Sequence, residues 1–215
     1  MKKISLFLAL TLLLGALAGC NRNVPQDDDG HIQPSSSSDD TNMPDDSGDG
    51  QNDPLDMLKT QSCQYLAAIW EKFPEAERFA AYGGTVESAT DNAPGALDMQ
   101  NTEELTTKYL LPQDMLESVS EGASLVHMMN SNIFTAAVVK LRQPDQLTPL
   151  YEAWRNAIQN NRWICGQPDR LLMAKLDQDH LLMSFGSTQV MDQFATQLKA
   201  AVSDAEVLYQ EAVVS

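Results

Sequence analysis

Along the second half of the chain the apolar positions change period in an order that repeats. "SVSEGASLVHMM" (118–129) and "NIFTAAVVKLR" (132–142) are short runs of small and β-branched apolar residues, the mark of paired strands. In "PDQLTPLYEAWRNAIQNN" (144–161) Leu147, Leu150, Trp154 and Ile158 recur every three or four residues, which lays them along one face of a helix. The order then recurs. "LLMAKL" (171–176) and "HLLMSFG" (180–186) predict a hairpin across Asp177-Gln178-Asp179. "STQVMDQFATQLKAAV" (187–202) predicts a helix capped by Ser187 or Thr188 that buries Val190, Met191, Phe194, Leu198 and Val202. Two strand-strand-helix units predict an α+β fold, a mostly antiparallel sheet with both helices on one face.

Upstream the pattern is less regular. Leu55, Leu58, Tyr65, Leu66, Ile69, Trp70 and Phe73 keep a helical period behind Asp53-Pro54, an N-cap and a preorganised first helical residue. Pro74 interrupts that helix, and "PEAERFAAYGG" predicts a further turn or two closed by Gly83-Gly84. "TVESAT" and "ALDM" predict a short strand pair around the turn "DNAPG", and Thr102 before Glu103-Glu104 predicts a capped helix to about Tyr109. A single globular domain is therefore expected over residues 55–215, long enough for one proper core.

The first 54 residues follow no such pattern. Lys2-Lys3, the apolar run Ile4–Ala18 and the small residues before Cys20 describe a secretory signal over residues 1–19, too short for a stop-transfer helix. The ending Leu17-Ala18-Gly19-Cys20 has the form of a lipobox, so Cys20 is expected to carry a diacylglyceryl thioether and to anchor the chain to the extracytoplasmic face of the cell membrane. Several acyl chains on one cysteine anchor durably where one chain is marginal, since each buried CH2 contributes about 0.8 kcal/mol. Residues 20–54 then read as a lipidated, disordered acidic tether: nine aspartates, four prolines and the run Ser35–Ser38 stand in 21–54 with almost no large apolar residue to offset ordering entropy.

Within that tether Asp45, Ser47, Asp49, Asp53 and Asp56 fall at calcium-loop spacing, with Gly50 at the sharp-turn position. Asn52 stands where such loops carry an apolar residue, Pro54 stands where the chain must wrap, and no helix precedes the loop. The solvated-tether reading therefore outweighs the calcium reading. No cofactor is expected.

The formal charge is −16, and removal of Lys2 and Lys3 with the signal makes it two units more negative. There is no basic surface to release counterions from phosphates, so nucleic acid is not an expected partner. Chemistry is sparse. His31 lies in the tether, and His127 and His180 sit in or beside strands. Asp177, Asp179 and His180 have metal-ligand residue types, but a hairpin turn uses Asp for its own backbone. Trp154, Asn160, Asn161 and Trp163 have the residue types of a sugar site, yet Trp154 belongs on the buried helix face and the asparagines end the helix. No G-x-S-x-G, H-E-x-x-H or glycine-rich phosphate loop occurs, so no catalytic residue is nominated. Cys63 and Cys165 are the two remaining cysteines. In an exported chain they have one intramolecular pairing, worth roughly 3–5 kcal/mol on the loop-entropy account, and two buried thiols are the other reading.

"LLPQDMLESVSEGASLVHMMNSNIFTAAVVKL", "LYEAWRNAIQNNRWI" and "LLMAKLDQDHLLMSFG" resemble the C-terminal domain of a group of Gram-positive bacterial lipoproteins of unknown function, in which a lipobox and a polar tether precede such a domain. The likeness covers residues 105–203 and rests on element order and spacing. It implies an α+β domain displayed at the cell surface and brings no activity with it. The function expected from sequence is a membrane-anchored, non-enzymatic binding or accessory module whose partner is an envelope protein or polymer. The alternative is a small envelope hydrolase acting on peptidoglycan or peptide, which needs a positioned acid or nucleophile.

Overall fold

The computed structural model describes residues 60–129, 133–164 and 166–214. Cys20, Cys165 and the calcium-spaced Asp45, Ser47, Asp49, Asp53 and Asp56 lie outside the described residues.

The first helix, α1, spans Gln61–Lys72. Its N-cap is Thr60, whose side chain accepts a hydrogen bond from the Cys63 backbone and takes up an orphan donor of the first turn, while Asp53-Pro54, Leu55 and Leu58 lie outside the described residues. Ser62, Cys63, Leu66, Ile69 and Trp70 form its buried face. The Cys63 thiol is free, and burial pushes its pKa up to about 11, with the Thr60 hydrogen bond opposing and Glu121 adding to the rise.

Past Pro74 the expected helical turns shrink to one 3-10 turn, Glu75–Glu77, followed by strand β1, Ala81–Gly83. The expected pairing of "TVESAT" with "ALDM" is corrected as well. Strand β2, Thr90–Asp91, pairs with β1, whereas β3, Gly95–Ala96, pairs with β4, Val119–His127. Glycine decides this: a Cβ on Gly83 would stand 2.1 Å from the Gly95 nitrogen and 2.4 Å from the Ser124 carbonyl oxygen. Three backbones meet there, and only a residue without a side chain lets them. Between them and β4 comes the short helix α2, Thr102–Thr107, capped by the Asn101 side chain rather than by Thr102.

The remaining strands are β5, Phe134–Leu141; β6, Arg170–Lys175; β7, His180–Gly186; and β8, Glu206–Ala212. Helix α3 covers Leu147–Gln159 and α4 covers Thr188–Ala201. The sheet runs β2-β1-β4-β5-β7-β6-β8, and each described ladder is antiparallel. This is the α+β, mostly antiparallel class expected from sequence.

The placement of both repeat helices on one face is overturned. Phe134, Ala136, Val138, Leu172, Ala174 and Leu182 pack with α1 and α4. Their neighbours Ala137, Val139, Leu171, Met173, Leu181 and Met183 pack with α3 on the opposite face. The physical sign lay in the strands themselves. "LLMA" and "HLLMSF" are continuous apolar runs, as a sheet covered on both sides requires, whereas a one-sided sheet alternates with polar residues. Among the described residues no helix is long and apolar enough to cross a membrane.

Candidate functional site

The two ends of β5 carry the two groups of residues with chemistry. Phe134 opposes Gly186 at one end and Lys140 opposes His180 at the other, so the groups are separated by the length of the sheet.

At the Phe134 end a cleft of about 650 Å³ opens between the end of α2, the ends of β4 and β5, and the segment after α3. Its walls are apolar: Leu110, Val126, Ile133 and Trp163 line it, and Met129 and Ile164 stand at the rim, 57% and 93% exposed. Leu110 is held at φ 54°, a left-handed conformation that a leucine adopts only under tertiary constraint. The constraint is visible on the residue before it. The Tyr109 hydroxyl donates to the Gly84 carbonyl at 3.0 Å, and the Tyr109 carbonyl accepts from Trp154 Nε1 at 2.8 Å. Tyr109 is pinned at both ends, and the chain turns sharply at Leu110 to leave it. On the far wall Gly166 is also left-handed, at φ 124°, and a Cβ there would come within 2.7 Å of Ile133 Cδ1.

The polar part of the cleft carries charge of one sign among the described residues. Thr106, Thr107, Thr135 and Asn161 contribute neutral groups, and Arg162 is the charged side chain. Among the described residues no aspartate or glutamate lines the cleft, although the chain has 30 of them. His127 also faces the cleft, stacked on Phe79 at 4.7 Å with its Nδ1 accepting from the Met129 backbone at 2.9 Å. Burial lowers its pKa. Its Nδ1 lone pair is spent on the backbone, so that nitrogen is not free to take a proton from a substrate.

At the Lys140 end His180, 2% exposed, sits beneath the β6–β7 turn among carboxylates. Asp177 organises the turn, its Oδ1 accepting from the backbones of Asp179 at 2.9 Å and His180 at 2.8 Å, as the turn reading of these residues requires. Its Oδ2 accepts from the Tyr65 hydroxyl at 2.8 Å. Burial pushes the Asp177 carboxyl upward, but the hydrogen bonds from Tyr65, the two backbone amides and His180 outweigh it and hold the group well below the usual carboxylate range. The same bond, after burial, helps push the Tyr65 hydroxyl up to about 12.

The structure thus divides the residues weighed as a sugar site. Trp154 is fully buried and Asn160 caps α3 by donating to the Asn156 carbonyl at 2.8 Å, whereas Asn161 and Trp163 line the cleft. Leu110, Ile133 and Arg162 were not singled out by sequence; they come together from separate segments, and no local spacing marks them. Comparison with protein-family models, with curated proteins and with solved structures finds no match.

Proposed function

We propose that the protein is a lipid-anchored module of the cell envelope that binds a partner through the cleft at the Phe134 end of the sheet and turns nothing over. The observation that carries the binding reading is the cleft itself: an open, mainly apolar cavity, with exposed Met129 and Ile164 at its rim and an arginine that no acid opposes among the described lining residues, on an otherwise strongly acidic chain. Contiguous exposed apolar surface beside a convergent polar group is the ordinary form of a binding site. The partner this lining fits presents an apolar group next to a negative charge. Anchoring through Cys20 and display on the acidic tether supply the setting, since confinement near a surface raises effective concentration and lets a shallow site suffice.

The test is photo-crosslinking in intact cells from a probe placed at Ile164. One envelope protein or polymer should be captured, and Arg162→Glu or Trp163→Ala should reduce capture at least ten-fold while a probe at Gln178, at the opposite end of the sheet, captures nothing. Equal capture from both probes overturns the cleft. Hydrolysis of peptidoglycan or peptide by the purified protein, abolished by a single side-chain change that leaves it folded, replaces the binding reading with the hydrolase.

A further inference from the structure

We infer that Asp177, Asp179 and His180 form a site for a divalent transition-metal ion of the zinc or manganese class, with Glu121 as the residue that orients the histidine. One ligand atom from each of the three lies within 4.8 Å of the others. His180 Nδ1 is 2.9 Å from Asp177 Oδ2 and 2.8 Å from Asp179 Oδ1. Ligand atoms at adjacent corners of an octahedral site with bonds of about 2.1 Å stand about 3.0 Å apart, close to both nitrogen–oxygen separations here, and the two carboxylate oxygens lie within 4.8 Å of each other. An imidazole nitrogen with two carboxylates suits zinc or manganese better than calcium, which takes oxygen ligands alone. Asp177 Oδ1 stays with the turn backbone, and Oδ2 is the oxygen available to the metal, with the Tyr65 hydroxyl still bonded to it.

The other ring nitrogen is the independent sign. His180 Nε2 is buried and has no hydrogen-bond partner, and the polar atom facing it is Glu121 Oε1 at 3.8 Å. With the single proton on Nδ1, Nε2 would turn a lone pair towards a carboxylate. A metal on Nδ1 forces the proton onto Nε2, where it points at Glu121, giving the carboxylate–histidine–metal order by which proteins fix a ligating imidazole. Glu121 is itself held in place, its Oε1 accepting from the backbone and hydroxyl of Ser62 in α1, each at 2.9 Å. The site is reachable from solvent: the Asp177 and Asp179 side chains are 35% and 32% exposed. The adjoining depression is lined by Asp177, Asp204 and Glu206, with Lys175 as its cation. A bound ion would tie the β6–β7 turn, through Tyr65 and Ser62, to α1.

The experiment titrates the purified full-length chain, stripped with chelator, with ZnCl2 and separately with MnCl2. Calorimetry should show one equivalent bound, and Tm should rise with metal concentration as linkage requires. Asp179→Asn leaves the Asp177 turn bonds in place and should weaken binding at least ten-fold; Glu121→Gln should weaken it ten- to a hundred-fold, the range for a group behind a ligating histidine. The nitrogen chemical shifts of His180 supply the second readout, because metal binding must move the ring to the Nε2-protonated form. Absence of saturable binding up to millimolar of both metals overturns the proposal. So does binding that both variants leave unchanged, or a histidine ring already protonated on both nitrogens that metal does not alter.

Discussion

Asp177 shows how one short side chain sets a local structure and its pH dependence together. Its native pKa is depressed, so the stability it confers is complete above the unfolded value of about 3.9 and disappears as pH falls through the native value. Asp177→Asn should therefore cost about 1 kcal/mol at neutral pH, from weakened bonds to Tyr65 and the turn. As pH falls below about 4 its unfolding curve should begin to approach that of the wild type, meeting it only once pH has passed the depressed native value. Urea titrations in chelator at a series of pH values measure this, and parallel curves down to pH 2 would show that the carboxylate charge plays no part. The turn role of Asp177 was legible, because an Asp three residues before the strand, at the head of the turn, is a common backbone acceptor. Its contact with Tyr65, 112 residues away in sequence, was not.

At the scale of elements, legibility followed burial on a regular period. The strands β4 to β7 and the helices α3 and α4 were found within a few residues of their ends because the strands are buried at nearly every position and each helix buries one face at a regular period. The strand β8 gave no such signal: "EVLYQEA" is exposed or half-buried throughout and pairs on one side with β6. It is held instead by side chains from α3, Arg155 bonding Glu211 through Nε and Nη2, the latter at 2.9 Å, and Gln159 reaching the Ala212 carbonyl at 3.0 Å. β1 to β3 were misassigned for another reason. Strands of two or three residues are fixed by how closely backbones approach, which periodicity does not encode. Gly83→Ala should accordingly destabilise by more than about 2 kcal/mol, the cost of forcing bulk into a packed contact, and a chemical-denaturation midpoint within error of the wild type would show that the three strands can part. The cleft was legible only in Asn161 and Trp163, since its remaining walls arise from the turn at Leu110 and from residues that meet only after the sheet has formed.

For the molecule as a whole, the proposed membrane anchoring depends on Cys20. Replacing Cys20 with alanine should leave an unprocessed precursor without acyl mass, while the parent chain partitions into detergent and incorporates labelled fatty acid; a parent chain that stays aqueous and unacylated refutes the anchor. The arrangement of the two buried layers has a consequence for how the chain is made. Cys63, Leu66, Ile69 and Trp70 share one layer with residues of β4 and β5 and with Val190, Met191, Phe194 and Leu198 of α4, and the other layer takes in Val213. A polypeptide delivered amino end first can lay its first helix on β4 and β5, yet the flank of that helix that meets α4 stays uncovered until residues 188–201 have emerged. Neither half can finish early. Both layers are therefore completed late in synthesis, and a nascent form stalled near residue 180 should bind chaperones through the α4-facing flank of α1.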